Sequence, residues 1–272
     1  MLRRSLCSRC HGTGWSTCVP VELYRSGRGA CEERFIIFPM LHAASWSFFS
    51  SALNALKGLI ELPATDSAIL VEGVAVNRHE ADMNLGEWRR AVENEQDREM
   101  LFRSAMAYVE GPVDDATRQN LDLIHKELAA ELQLPFPLPE GVIMEALSFK
   151  PLLATNFGRL LRRGDIIVDD LPNSIRPMSS LSTGALTSPA INKFRESEFA
   201  RIGIAELAKM DRESTRQVIG LYGHGHREAL VSMLRSFHGF DERPHSEIPE
   251  DRRALLAPIA YGWNPLDTLP KV

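Results

Sequence analysis

Apolar residues along this chain gather into short runs and into stripes with three- or four-residue steps; strictly alternating segments are few. The run Phe35-Ile36-Ile37-Phe38 reads as a strand over 33–38 that Pro39 ends, because proline removes a ladder donor. Over 42–60, Trp46, Phe49, Leu53, Leu56 and Ile60 recur at helical steps and mark one buried face. Pro63 stops that helix. SAILVEGVAV over 67–76 is apolar and β-branched, the composition of a buried strand. Helical stripes follow over 85–109 and 116–132, separated by Gly111-Pro112, and Asp114 or Asp115 suits the second as a cap.

Pro135, Pro137 and Pro139 form a stiff connector and the best boundary in the chain. Beyond it the pattern predicts a helix over 141–161 kinked at Pro151, a short strand over 165–168, and a loop over 171–190 rich in Pro, Ser, Thr and Gly. Short helices follow over 194–210, 213–221, 227–237 and 250–257. The expected fold class is α+β, mostly helical, with a small sheet that opens on a ferredoxin-like strand–helix–strand unit. The expected organisation is a Cys-rich head over 1–33, that unit with two acidic helices over 34–134, and a mainly helical region over 135–272.

Composition narrows the class. With 44% apolar and 25% charged residues among 272, wholesale disorder is excluded. The net charge of −5 is unevenly spread: residues 61–146 hold 7 basic and 18 acidic residues, while the two flanks are net basic. Arg25, Arg28, Arg34, Arg159, Arg162, Arg163 and Arg176 are the candidate phosphate-gripping residues of those flanks, and single-stranded nucleic acid is the corresponding partner. The acidic middle would suit a basic protein partner. The longest uncharged stretch, 35–56, is long enough for a membrane span, but serines and Pro39 interrupt it, so no membrane association is expected. The start shows no apolar leader segment, which points to the cytoplasm.

All four cysteines fall within the first 31 residues. Cys7-Ser8-Arg9-Cys10-His11-Gly12-Thr13-Gly14 resembles half of the CxxCxGxG zinc repeat of DnaJ-type chaperones. That resemblance implies zinc as a cofactor at Cys7 and Cys10, although the second half of the repeat is absent; the clustering makes Cys18 and Cys31 the partners that would complete a four-thiolate site, with His11 a substitute for either. Four of the eight histidines lie between 224 and 245. Gly223-His224-Gly225-His226 resembles the last metal motif of calcineurin-like phosphoesterases, which implies a metal-dependent hydrolase or nuclease; the upstream Asp-x-His and Gly-Asn-His of that family are absent. Val71-Glu72-Gly73 and Val168-Asp169-Asp170, each following an apolar strand run, resemble the acidic pair of a Toprim metal site, but the separation is long and the second lacks the usual Asp-x-Asp. The FIIFPMLHAA start and the closing LLAPIAYG segment resemble RNA-binding subunits of CRISPR effector complexes. That resemblance implies a non-catalytic, nucleic-acid-associated subunit of a larger prokaryotic complex and assigns no individual residue a role. A hydrolase or nuclease centred on the histidine-rich region, and a protein–protein adaptor, are the alternatives.

Overall fold

The computed structural model describes residues 17–27, 31–75, 136–138, 141–145, 149–164, 166–167, 171–175 and 189–260, with scattered positions between 78 and 130. The chain runs through β1 (Thr17–Cys18), β2 (Val21–Ser26), β3 (Glu32–Met40), β4 (Ala43–Ser45) and α1 (Trp46–Ile60). Next come β5 (Thr65–Val71), β6 (Val74–Ala75), β7 (Val142–Met144), α2 (Lys150–Phe157), β8 (Leu161–Arg163) and β9 (Ile166–Ile167). It closes with α3 (Pro189–Lys209), β10 (Thr215–Gly223), α4 (Arg227–His238), β11 (Asp241–Glu242), α5 (Glu250–Arg253) and β12 (Ile259–Ala260). The expected helices over 85–109 and 116–132 fall mostly outside the described residues. Among the described residues no helix is long and apolar enough to cross a membrane.

The chain mixes α and β structure, and its main sheet is larger than the small one the pattern predicts. Six strands pair in the order β11-β2-β3-β10-β5-β8. β3, β10, β5 and β8 are mutually parallel, and β2 and β11 extend the sheet antiparallel. β3, α1 and β5 do form a strand–helix–strand unit, but β10 inserts between its strands parallel to both. In a ferredoxin-like unit that place belongs to an antiparallel strand. Residues 213–221 supply most of β10 where a short helix is expected. Val218, Ile219, Leu221 and Tyr222 are all buried, so β10 meets apolar layers on both sides and shows no polar–apolar alternation. Pro39 lies inside β3 opposite Tyr222, past the end of the β2 pairing, so a donor is missing only where β2 no longer needs one.

Alternation across the sheet builds two cores. Ile36, Phe38, Ile69, Val71, Ile219 and Leu221 face α1, whose Phe48, Phe49, Ala52, Leu56 and Leu59 are buried against them. Ser45 caps α1, its hydroxyl accepting from Phe48 N–H at 3.4 Å. Phe35, Ile37, Leu70, Val218 and Tyr222 face the opposite layer, where Phe199 and Leu207 of α3 and Leu230 and Leu234 of α4 pack. Each such side chain contributes about 1.5–3 kcal/mol by leaving water.

Glycines let the aromatic rings of this second core seat against backbone. A Cβ on Gly203, within α3, would stand 2.3 Å from Phe35, and one on Gly220 would stand 2.8 Å from Phe199. Helix propensity alone favours alanine at 203 by about 1 kcal/mol. Overpacking outweighs that gain. Gly203→Ala is expected to lower stability by about 1–3 kcal/mol in urea unfolding, and a variant as stable as the parent would show that Phe35 can move aside.

Candidate active site at the carboxyl edge of the parallel sheet

In an open parallel sheet, ligands bind beyond the carboxyl ends of the strands, where neighbouring connections leave on opposite faces. β3 and β10 are such neighbours: the chain leaves β3 into α1 on one face and leaves β10 into α4 on the other. Three polar segments follow the apolar strands at this edge. His42 lies two residues past β3, Glu72 one residue past β5, and His224 to His226 directly past β10.

These groups converge on the backbone of Gly223. A Cβ built there would stand 3.1 Å from Glu72 Oε2, 3.5 Å from His226 Cδ2 and 3.8 Å from His42 Nε2. Glycine keeps that point free for other atoms. The Gly223 N–H donates to Glu72 Oε2 at 2.6 Å, and Arg195 of α3 donates to Glu72 Oε1. The carboxylate is thereby held between a backbone donor and a guanidinium. Lys150, at the start of α2, donates to the Glu72 carbonyl at 3.2 Å.

Each histidine of the cluster is oriented by a buried carboxylate. His42 Nδ1 lies 3.2 Å from Glu145 Oε2, and His226 Nδ1 lies 2.7 Å from Glu196 Oε1. The β4–β7 pair carries His42 and Glu145 toward each other, with Glu145 N–H donating to the His42 carbonyl at 2.9 Å. His226 packs edge-on against Tyr222, with ring centroids 4.9 Å apart. Engagement at Nδ1 leaves Nε2 of each ring for other chemistry.

Electrostatics distinguishes the histidines. The hydrogen bond to Glu145 raises the pKa of His42; burial opposes this, while the charges of Glu145 and Glu72 add to it. Burial works against ionised Glu145, yet Lys150 and His42 hold its carboxyl below the usual range. Burial, followed by the charge of Arg227, depresses His224. Its Nδ1 lies 3.7 Å from buried Cys18 Sγ. Burial, with the Glu72 charge, pushes the Tyr222 phenol upward, so it remains protonated.

The residues singled out from sequence are distributed differently. Of the two histidines in the Gly-His-Gly-His run, His226 joins the cluster. His42 and Glu145 were not anticipated at all. Cys7 and Cys10 lie outside the described residues. Cys18 contacts His224 just past β10, whereas Cys31 Sγ donates to the Glu213 carbonyl just before it, at 3.3 Å. The nine-residue length of β10 separates them by roughly 30 Å, so the structure does not bring these two cysteines together. Among the described residues no group of three His, Cys, Asp or Glu side chains is placed to hold a metal ion.

The basic candidates are likewise apart. Arg25 and Arg34 sit on β2 and β3 and pair with Glu33 and Glu32. Arg159 and Arg162 are exposed beside and on β8, where Arg163 also lies, four strand steps from β2, roughly 19 Å away. Arg28 and Arg176 are outside the described residues. No protein-family model, curated protein or solved structure matches this chain.

Charge linkage gives the dyad a measurable signature. A raised His42 pKa means that its stabilising contribution is complete below the unfolded value of about 6.5, and that it fades as pH rises through the folded value. Glu145→Gln is therefore expected to lower the His42 pKa in an NMR titration. The stability gap between parent and variant attributable to His42 should shrink from pH 6 to pH 9. An unchanged His42 titration in the variant would rule out the dyad.

Proposed function

We propose that the protein is a hydrolase whose reaction centre is the His42, Glu72 and His226 cluster. The observation that carries this reading is the convergence of these groups, from three different strand ends, on the side-chain-free backbone of Gly223 at the sheet's switch point. His42, half exposed and backed by Glu145, is suited to take a proton from an attacking water through Nε2. His226, backed by Glu196 and more enclosed, is suited to return a proton to the leaving group. Glu72, clamped by Arg195 and Gly223, fixes the spacing between them and keeps negative charge beside the imidazolium that forms at His42. The bonds broken would be ester or amide bonds, in which water attacks an acyl carbon and the leaving oxygen or nitrogen takes up a proton.

The metal-dependent form of this reading draws on the same two imidazoles. Histidines anchored through Nδ1 by carboxylates present Nε2 as carboxylate-oriented metal ligands do. The non-catalytic nucleic-acid reading, by contrast, gains no support from the placement of the arginines: Arg25 and Arg34 are already ion-paired, and the Arg159–Arg163 group stands at the other edge of the sheet.

The test is a hydrolysis panel of p-nitrophenyl esters, chromogenic peptides and p-nitrophenyl phosphate, run in chelator and with added manganese or zinc. Ester or peptide turnover that falls about 10²–10⁴-fold in both His42→Asn and His226→Asn is expected. Turnover only with added metal selects the metal-dependent form. Turnover indifferent to both substitutions would overturn the assignment of the site.

A further inference from the structure

Hydrolysis by His42, Glu72 and His226 leaves one buried hydroxyl of the cluster without a role. Tyr222 is the residue before Gly223 on β10, and strand alternation turns its side chain into the α3 layer. The residue is only 2% exposed. Its ring is wedged between Phe199 of α3 and His226, with centroids 4.3 Å and 4.9 Å away. The guanidinium carbon of Arg195 lies 5.8 Å from the ring centroid. Besides burial, the charges of Glu72, Arg195 and Glu196 act on the phenol. Its hydroxyl therefore stands among the side chains that hold Glu72 and His226 in place.

Buried tyrosine hydroxyls ordinarily find a hydrogen-bond partner. This one makes no hydrogen bond to any described residue. The carboxylates around it are already engaged: Glu72 accepts from Gly223 N–H and from Arg195, and Glu196 meets His226 Nδ1. The other donors of the cluster are committed as well. Lys150 donates to the Glu72 carbonyl and offsets the charge of Glu145. Arg195 Nε also lacks an acceptor, but it is sealed from solvent; the Tyr222 hydroxyl is not among the sealed polar atoms of the described residues. Packing does not explain the oxygen, since phenylalanine would fill the same apolar slot. The site thus holds a neutral donor, fixed by its ring and without an acceptor, beside two histidines suited to proton transfer.

On the hydrolase reading, we propose that Tyr222 is a further catalytic residue, whose O–H donates to the acyl oxygen of the substrate as that oxygen gains charge. Water forms a bond to the acyl carbon and gives its proton to His42 Nε2. The π pair of the carbonyl moves onto the acyl oxygen, which accepts from Tyr222 without taking its proton. When that pair returns, the bond to the leaving oxygen or nitrogen breaks, and the leaving atom takes a proton from His226. Such a donor strengthens the reaction because it binds the charged oxygen better than the neutral carbonyl, and it needs no reorganisation to do so.

The experiment compares the full-length parent with Tyr222→Phe in two measurements. The first is turnover of p-nitrophenyl acetate. The second is calorimetric binding of methyl phenylphosphonate, a tetrahedral anion shaped like the intermediate of ester hydrolysis. The melting temperature of Tyr222→Phe should stay at that of the parent, because the ring contacts remain and no hydrogen bond is lost. Its kcat should fall about 10²–10³-fold with KM nearly unchanged, and the phosphonate should bind at least about tenfold more weakly. An unchanged kcat in Tyr222→Phe, where His42→Asn and His226→Asn do lose turnover, would overturn the role of Tyr222 and leave the hydrolase reading standing. A parent that turns over no ester or peptide would remove both. A loss confined to KM, a large drop in melting temperature, or equal phosphonate binding by the two proteins would each overturn the proposal.

Discussion

β10 is paired in parallel along both sides, from Arg216 to Gly223 with β3 and from Thr215 to Leu221 with β5. A central strand of this kind has no freedom of register, because slipping by one residue would exchange its two buried faces. Val218 and Tyr222 would then meet the α1 layer, and Ile219 and Leu221 the α3 and α4 layer. That constraint sets both ends of the molecule. It places Gly223 beside the segments that follow β3 and β5, and so gathers His42, Glu72 and His226. At its other end it places Arg216 opposite Glu33, under the last turns of α3 and α4.

Much of the frame was legible in the sequence. β3 and α4 correspond closely to the runs read from 33–38 and 227–237, α1 to the stripe over 42–60 after β4 takes its first residues, and β5 to the first half of 67–76. The strand over 215–223 was not legible, and the reason is physical. A strand buried on both faces loses the alternation that identifies strands, and the short apolar run from Val218 to Tyr222 also fits a short helix. With β10 read as a helix, no pairing could bring His42 to His226, since it is β10 that joins the two. A signal did exist. Three apolar runs each end in a candidate acid–base residue: Met40-Leu41-His42, Val71-Glu72 and Gly223-His224-Gly225-His226. Polar residues at the carboxyl ends of parallel strands are where such folds place chemistry, but that rule applies only once the strands are known to be parallel neighbours. Glu145 carried no comparable signal, because its role depends on the pairing of β4 with β7.

The charge pattern misled for a related reason. Sequence reports the sign of a side chain but not its partner. Arg25 and Arg34 count toward a basic flank, yet the β2–β3 pairing sets Arg25 against Glu33, and Arg34 reaches Glu32 within its own strand. Glu22, on the same hairpin, is fully enclosed and meets both Arg243 and Arg252, tying the segment after α4 back to the sheet. Removing either side of such a buried pair strands the other, which is why these charges act as fixed structure rather than as a field offered to a distant ligand.

The two ends of the sheet carry opposite demands, and helix polarity explains both. α3 and α4 run against the strands they cover, so their final carbonyls lie at the strands' amino ends and concentrate partial negative charge there. Arg216 answers the Leu207 carbonyl and Arg25 answers the His238 carbonyl, while Gly239, at φ 67°, turns the chain out of α4. Cations are thus required at that end by the helices themselves. At the carboxyl edge the helices begin rather than end, and the local partial charge is positive. Glu72, Glu145 and Glu196 lie at this edge, and each holds a proton-carrying or cationic neighbour in place. An acid–base centre needs histidines held in one orientation by fixed partners, and here the β4–β7 pairing and α3 set Glu145 against His42 and Glu196 against His226 before any substrate arrives.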